Sequence, residues 1–174
     1  SEYNGTTTTA TASLPMPATT ILSVYHDISP KLAVMASATY SQWSVLQSID
    51  LYNTAFPYES DISDAKDFKD TWYFALGTDY KLNDVVTLMF GASYDQSPAQ
   101  DGYRDVRLPD EDHTTLSIGA HIKPSTKLGV DVGYAHVFLP KADVDDTSSG
   151  APVNETGTIE GGADMIALQL NYTF

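Results

Sequence analysis

Apolar and polar residues alternate along most of this chain. At the C-terminal end the alternating apolar positions are Ile166, Leu168, Leu170, Tyr172 and Phe174. Successive side chains of a β-strand point to opposite faces, so a period of two predicts strands rather than helices. Counted back from the C terminus, the pattern predicts seven strands, at residues 163–174, 127–139, 113–123, 85–96, 70–82, 31–52 and 5–27.

The first predicted strand contains two prolines, Pro15 and Pro17. Proline has no N–H to donate to a strand ladder and is tolerated mainly at sheet edges and bulges. Residues 5–27 are therefore predicted to form either one kinked strand or two shorter strands joined at 14–17. The second alternative gives eight strands.

The two faces of the predicted strands differ in a way typical of membrane barrels. Trp72, Phe74 and Leu76 make one face large and apolar, whereas Ala75 and Gly77 belong to a face of small side chains. A soluble sandwich would carry many charged side chains on its exposed face. Transmembrane barrels instead turn the apolar side chains toward lipid and alternate them with lumen-facing ones. We therefore predict an all-β chain that forms a transmembrane antiparallel β-barrel.

The predicted connections alternate between short and long. Tight turns fall at 28–30, 83–84 and 124–126, and long polar segments at 53–69, 97–112 and 140–162. Bacterial outer-membrane barrels have short periplasmic turns and long extracellular loops. This arrangement predicts a bacterial outer-membrane location with a periplasmic C terminus. A last strand that ends in Tyr172 and Phe174 resembles the signal by which barrel-insertion machinery accepts its substrates.

Composition and charge exclude several classes of protein. The chain has 23 acidic and 9 basic residues and a net charge of −14, which argues against a nucleic-acid partner because phosphate contacts need a basic surface. It contains no cysteine, so disulfides and thiolate chemistry are excluded. The histidines show no zinc-ligand spacing, and no nucleophile motif is present. We therefore expect no enzyme activity, no metal and no cofactor.

Several segments, in the same order, resemble the FadL/TodX family of outer-membrane transporters for long-chain fatty acids and other hydrophobic compounds. They are LPMPATTILSVYHDIS at 14–29, FKDTWYFALGTDYKLND at 68–84, YDQSP at 94–98, RLPDEDHTTLSIGAHIK at 107–123, LGVDVGYAHVF at 128–138 and the terminal strand. The resemblance covers nearly the whole chain and corresponds to the C-terminal half of that family.

The resemblance implies a barrel of about fourteen strands with an N-terminal hatch in its lumen. Residues 1–174 would be the C-terminal part of that single barrel domain and supply about seven strands, with the hatch and the early strands absent. Half a barrel has two unpaired edges, which lipid does not tolerate. Expected partners are therefore the missing N-terminal half, the insertion machinery, and outer-membrane lipids with lipopolysaccharide. Closure of this chain alone into an eight-stranded barrel is the alternative.

The implied function is passive transport of long-chain fatty acids or similar hydrophobic molecules through the lumen, with lateral release into the bilayer. The alternative is a small self-closed barrel with a structural or adhesive role and a filled lumen. Members of the family bind the ligand carboxylate with basic side chains, one of them just upstream of the F-K-D segment. This assigns a ligand contact to Lys66, although an acidic residue stands at or near the family's lysine position.

Five further residues are candidates for contact with a hydrophobic ligand. Met35, Tyr73 and Met89 are predicted to face the lumen, where flexible and polarizable methionine side chains suit varied ligands. Phe56 and Tyr58 lie in a long loop, where they are candidates for the first contact at the outer surface. The competing interpretations are ordinary lumen packing for the first three, packing within the loop for the other two, and a solvated loop lysine for Lys66.

Overall fold

The computed structural model of the protein describes residues 2–3, 6–7, 9–53, 61–100, 103, 110–146 and 155–173. These residues form twelve strands and one short 3-10 helix, Trp43–Val45. The strands are β1 (Glu2–Tyr3), β2 (Thr6–Thr7), β3 (Thr11–Ser13), β4 (Thr19–Ser29), β5 (Leu32–Ser41), β6 (Ser48–Tyr52), β7 (Ile62–Ala65), β8 (Thr71–Lys81), β9 (Val86–Asp95), β10 (His113–Ile122), β11 (Leu128–Asp146) and β12 (Glu155–Tyr172). No helix within these ranges is long and apolar enough to cross a membrane.

Seven of the strands form one antiparallel sheet, in the order β12-β11-β10-β9-β8-β5-β4. β4, β5, β8, β9 and β10 each contain 10 or 11 residues, which is the length that a tilted strand needs to cross a bilayer. The prediction of an antiparallel barrel sheet with seven strands from this chain is confirmed. In the described part of the chain, β4 and β12 each have one neighbour in this sheet, so both are edges.

A single side chain holds each of the three short turns of this sheet. In each turn a side-chain oxygen accepts hydrogen bonds from two backbone N–H groups just downstream: Ser29 from Lys31 and Leu32 (3.2 and 3.1 Å), Asn83 from Val85 and Val86 (2.9 and 2.9 Å), and Ser125 from Lys127 and Leu128 (3.3 and 3.2 Å). Short polar side chains bond nearby backbone in this way and so favour tight turns. The three turns lie at one end of the sheet, the short-turn end.

The strand register carries the apolar alternation onto one face of the sheet. One row across the strands consists of Val34, Thr78, Phe90, Ile118, Tyr134 and Ile166, and a row on the other face consists of Met35, Gly77, Gly91, Ser117, Ala135 and Met165. Leu76, Leu168 and Ile166 are 66%, 69% and 82% exposed. A continuous exposed apolar face of this size fits lipid rather than water. The first face is termed the lipid face, and the second the inner face.

Buried apolar side chains are concentrated at the opposite, long-loop end. Leu46, Phe68 and Ala99 form a buried cluster, and Trp43 and Ile49 pack against it. These residues come from the connections between β5 and β8 and between β9 and β10. Among the described residues, the inner face of the sheet carries no buried apolar cluster of its own, as a wall around a lumen requires.

The predictions for two of the strands were wrong in part. The strand predicted at 31–52 ends at Ser41, because Trp43 and Leu46 turn into the loop cluster; the chain then forms the 3-10 helix and β6. Of the strand predicted at 5–27, only β4 joins the main sheet. The prolines do break the strand, but the piece before them, β3, pairs with β6 in a separate three-stranded sheet and adds no eighth strand to the wall.

The long polar segment predicted at 140–162 was also wrong in part. β11 continues to Asp146 and β12 begins at Glu155, so most of this segment is an extended hairpin. Pro140 lies at a bulge between Leu139 and Ala142, where its missing N–H breaks no ladder bond. A strand that continues beyond the bilayer has no need of apolar residues, so polarity alone suggested a loop.

Candidate functional site

A cavity of about 470 Å³ opens on the inner face at the long-loop end. Loop residues Trp43 and Phe68 contribute aromatic lining, with their rings edge to face at 6.1 Å. Tyr73 of β8 adds a third aromatic ring, and Asp95 and His113 contribute a polar end. The remaining lining residues are Thr39, Ser41, Thr71, Gln96, Pro98 and Asp110. This space is termed the upper cavity.

The polar end of the upper cavity presents hydrogen-bond acceptors. The Nδ1 atom of His113 lies 3.1 Å from the backbone carbonyl oxygen of Glu111, so Nδ1 carries the proton that this carbonyl accepts. The Nε2 atom of the same ring lies 3.8 Å from Oδ2 of Asp95, which is within ion-pair distance when the ring is protonated. Within the described ranges, no lysine or arginine lines this cavity.

A second cavity, of about 360 Å³, opens on the inner face at the short-turn end. Its titratable lining residues include Asp27, Asp79, Lys81, His121 and Asp131, and Met89 adds an apolar wall. His121 Nδ1 lies 2.5 Å from Asp131 Oδ1. Asn171 Nδ2 donates to the other oxygen of Asp131 at 3.0 Å, so this polar chain crosses three strands. This space is termed the lower cavity.

Gly119 makes room for Met89 on the inner face, whereas Gly77 lies at ordinary contact distance from Met35. Met35 of β5 pairs with Gly77, and a Cβ placed on Gly77 would lie 3.9 Å from the Met35 sulfur. A Cβ placed on Gly119 would lie 3.3 Å from the Met89 methyl group and 3.0 Å from the Val132 carbonyl oxygen. A side chain at position 119 would therefore crowd both Met89 and the backbone of β11.

Loop carboxylates bond the hydroxyl groups of tyrosines on the lipid face at the long-loop end. Tyr40 donates to Asp70 Oδ2 at 2.5 Å, and Tyr94 donates to Asp112 Oδ2 at 2.5 Å. The Trp72 ring lies between Tyr40 and Phe74, with centroid distances of 5.0 and 5.7 Å. Rings that face lipid while their polar ends meet water are typical of the aromatic girdle at a membrane interface.

The structure distributes the predicted ligand residues along the inner face. Tyr73 lines the upper cavity, Met89 lines the lower cavity, and the register places Met35 between them. Lys66 is buried, its Nζ atom lies 3.1 Å from Asp64 Oδ2, and it is absent from the lining of the upper cavity. Phe56 and Tyr58 lie outside the described residues.

The two residues predicted as the insertion signal are described unequally. Tyr172 is 57% exposed on the lipid face and pairs with Leu128, whereas Phe174 lies outside the described residues. Within the described ranges, no group of three or more acidic or histidine side chains is placed to hold a metal ion.

Of the residues that line the upper cavity, the sequence analysis named only Tyr73 as a candidate; those it missed include Trp43, Phe68, Asp95 and His113. The alternation does place Asp95 and His113 on the inner face, and the β9–β10 hairpin pairs them directly. The predicted strands at 85–96 and 113–123 already contain both residues, so pairing these two strands as a hairpin would have found them. Trp43 and Phe68 belong to loop segments that show no period, so no sequence signal brings them to the cavity.

An open antiparallel sheet with a lipid face, an aromatic girdle and an inner face that lines cavities is part of the wall of an outer-membrane β-barrel. The family profile described as "Outer membrane protein transport protein (OMPP1/FadL/TodX)" matches residues 1–174, and the chain belongs to this family. The resemblance drawn from the sequence and the predicted bacterial outer-membrane location are confirmed.

Three relatives illustrate the similarity. The chain is 30% identical to the 47 kDa outer membrane protein of Pasteurella multocida over 94% of its own length and 36% of that protein. It is 28% identical to the long-chain fatty acid transport protein of Escherichia coli over 98% of its length and 36% of that protein. A crystal structure of a Pseudomonas aeruginosa FadL homologue superimposes with a TM-score of 0.82 at 28% identity, covering 94% of this chain and 37% of the other. The chain thus spans about a third of the length of these relatives.

Proposed function

We propose that residues 1–174 are the C-terminal part of a single barrel domain that carries hydrophobic molecules passively across the outer membrane. The observation that supports this most is the inner face of the seven-stranded sheet. This face carries small residues such as Gly77 and Gly91, has no buried apolar cluster of its own among the described residues, and opens into a cavity at each end. The missing N-terminal half of the barrel would pair with the free edges of β4 and β12 and complete the lumen.

The proposed route follows the inner face from the long-loop end toward the periplasm. A hydrophobic molecule, such as a long-chain fatty acid, would meet the aromatic lining of the upper cavity at Tyr73 and then pass Met35 and Met89. It would leave sideways into the bilayer through the part of the wall that this chain does not supply. Passive movement needs no nucleophile and no cofactor, so we propose no enzymatic step.

Lys66 receives a different role in this proposal. Its ammonium group is buried beside Asp64, and Lys66 lies two residues before Phe68 of the loop cluster. An ammonium held in this way contributes to the packing of the loop. Phe56 and Tyr58 stay candidates for the first contact at the outer surface.

Occlusion of the lumen tests the transport proposal. Gly77→Phe would place a ring on the inner face, where a Cβ has ordinary contacts of 3.8 Å or more. The matched control is Leu76→Phe, which places the same ring one residue away on the lipid face. We expect Gly77→Phe to lower cellular uptake of a labelled long-chain fatty acid, alcohol and amine by about tenfold, and Leu76→Phe to leave uptake unchanged. Equal uptake by the two variants, with equal amounts of heat-modifiable barrel in the membrane, would refute the proposal.

A further inference from the structure

A third cavity, of about 680 Å³, lies at the short-turn end of the sheet and shares part of its lining with the lower cavity. Three lysines line it: Lys31 in the turn between β4 and β5, Lys81 at the end of β8, and Lys123 directly after β10. Within the described ranges, Asp84 is the one carboxylate in its lining. This space is termed the basic pocket, and it is a positively charged site on a chain whose net charge is −14.

Backbone hydrogen bonds hold the three lysines at fixed positions around the basic pocket. The Lys81 N–H donates to the carbonyl oxygen of Lys31 at 2.8 Å, and the Lys123 N–H donates to the carbonyl oxygen of Val85 at 2.8 Å. Lys31 and Lys123 are thereby tied to the two ends of the turn between β8 and β9, which lies between them. Because the backbone is already fixed, little of the binding free energy is lost in ordering the site.

The ammonium groups of these three lysines have no carboxylate partner in the described part of the chain. The same chain does pair a lysine at the long-loop end, where Lys66 Nζ lies 3.1 Å from Asp64 Oδ2. Like charges around one cavity repel each other, and an anion placed between them turns that repulsion into attraction. The basic pocket therefore fits a ligand with a negative charge.

The carboxylates of the adjoining lower cavity do not supply that charge. Asp27, Asp79 and Asp131 line the lower cavity but not the basic pocket. Asp131 is already bonded by His121 at 2.5 Å and by Asn171 at 3.0 Å. An anionic ligand would be repelled from this acidic row, so its charge would stay at the outer rim, among the lysines.

Leu82 and Val85 give the basic pocket an apolar side. They are 51% and 42% exposed, and Leu82 continues the lipid-face alternation of β8 beyond Tyr80. Short turns face the periplasm in an outer-membrane barrel, so this apolar side lies at the boundary of the periplasmic leaflet. An amphiphile in that leaflet would place its head among the lysines and its acyl chains on Leu82 and Val85.

We propose that the basic pocket binds the phosphate head of an anionic phospholipid from the periplasmic leaflet. Basic pockets at a membrane boundary recognise anionic lipid heads in this way. A phospholipid is the occupant that the position favours, because the leaflet beside Leu82 supplies it and the apolar side accommodates its chains. The proposal depends on the orientation of the sheet and not on transport, so either can fail without the other.

Native mass spectrometry of the full-length protein, released from nonionic detergent, counts bound lipid directly. The protein is titrated with phosphatidylglycerol and with phosphatidylcholine of the same acyl chains, so that the head is anionic in one and zwitterionic in the other. We expect phosphatidylglycerol to bind about tenfold more tightly. Equal binding of the two lipids would overturn the proposal, and this wild-type comparison decides it even if a variant does not fold.

Single-lysine variants locate the site. Lys81→Gln should weaken phosphatidylglycerol binding about fivefold, and Lys81→Arg, which keeps the charge, should retain it. Lys69→Gln removes the same charge at the opposite end of β8 and should leave binding unchanged. Equal weakening by Lys69→Gln and Lys81→Gln would assign the effect to overall charge and overturn the assignment to this pocket.

Two competitors separate the possible sources of the anion. Inorganic phosphate and oleate are each added to the complex with phosphatidylglycerol, and we expect neither to displace the lipid at equal concentration. Displacement by phosphate would show a site for free anions, and displacement by oleate a site for fatty acids; each result would overturn the phospholipid assignment. The uptake comparison of Gly77→Phe with Leu76→Phe tests transport separately and does not depend on either result.

Discussion

At the residue scale, two loop carboxylates tie the long connections to the strands. Asp70 accepts hydrogen bonds from the Tyr40 hydroxyl and from the Ser44 backbone N–H at 2.5 and 2.9 Å. Asp112 does the same with the Tyr94 hydroxyl and the Ser97 backbone N–H at 2.5 and 2.8 Å. Each carboxylate therefore holds one girdle tyrosine and one loop backbone group, which fixes the start of the loop over the barrel rim.

The pH dependence of the Asp70 contact has a definite sign. Hydrogen bonds from Ser44, and then from Tyr40, hold the pKa of Asp70 below its ordinary value of 3.8. Because the folded pKa is lowered, the contact stabilises the loop at pH above 3.8 and is lost as pH falls through the lowered pKa. We expect the emission of Trp43, next to Ser44, to stay constant on acidification until pH is below 3.8. In Asp70→Asn this acid transition should be absent; an unchanged transition in that variant would assign it to another group.

Position 119 has no space for a side chain larger than that of glycine. An added Cβ would lie 3.0 Å from the Val132 carbonyl oxygen, which the strand ladder holds in place, and 3.3 Å from the Met89 methyl group. Gly119→Ala should therefore lower the free energy of unfolding by about 1–3 kcal/mol. Gly77→Ala is the matched control on the same face, where contacts of 3.8 Å leave room. Urea titration of the barrel in detergent measures both, and equal stabilities would contradict the steric argument.

At the scale of elements, the side chains that close the short turns set the hairpin geometry. Asn83 Oδ1 accepts from the backbone N–H groups of Val85 and Val86 at 2.9 Å each. Asn83→Ala leaves both donors without this partner and should destabilise the β8–β9 hairpin by about 1–2 kcal/mol. Asp84→Ala in the same turn is the control and should have a smaller effect. Thermal loss of heat-modifiable mobility on a gel reports the difference; equal shifts would mean that Asn83 contributes only through its backbone.

The strands and loops differ in how well the sequence alone predicts them. Large apolar side chains stand at most of the lipid-facing positions of β8, β9 and β10, so the bounds and faces of these strands follow from alternation alone. The loop cluster of Leu46, Phe68 and Ala99 joins residues far apart in sequence, and no period marks such contacts. For that reason the end of β5 and the positions of Trp43 and Phe68 in the upper cavity could not be predicted, whereas the alternation did place Tyr73 on the inner face. The pairing of Asp95 with His113 is easier to predict than the loop cluster and harder than the strand faces, because it depends on the register of the β9–β10 hairpin.

At the scale of the whole molecule, the sheet has two different ends and two free edge strands in its described part. Short turns held by Ser29, Asn83 and Ser125 lie at one end, and the buried loop cluster lies at the other. In an outer-membrane barrel, turns of this kind face the periplasm. In the described residues β4 does not pair with β12, the pairing that closure of this sheet upon itself would require. Within the described residues the sheet therefore has two distinct ends and two free edge strands, β4 and β12.

The absence of cysteine from the chain makes this orientation directly measurable. Lys69, exposed in the segment before β8, and Asp84, exposed in the turn after it, lie at opposite ends of the same strand. A membrane-impermeant maleimide added to intact cells should label Lys69→Cys, because long loops face the outside. Asp84→Cys should react only after the outer membrane is permeabilised. Labelling of Asp84→Cys in intact cells, with Lys69→Cys protected, would mean that the sheet is inserted the other way up, and the upper cavity would then face the periplasm instead of the incoming ligand.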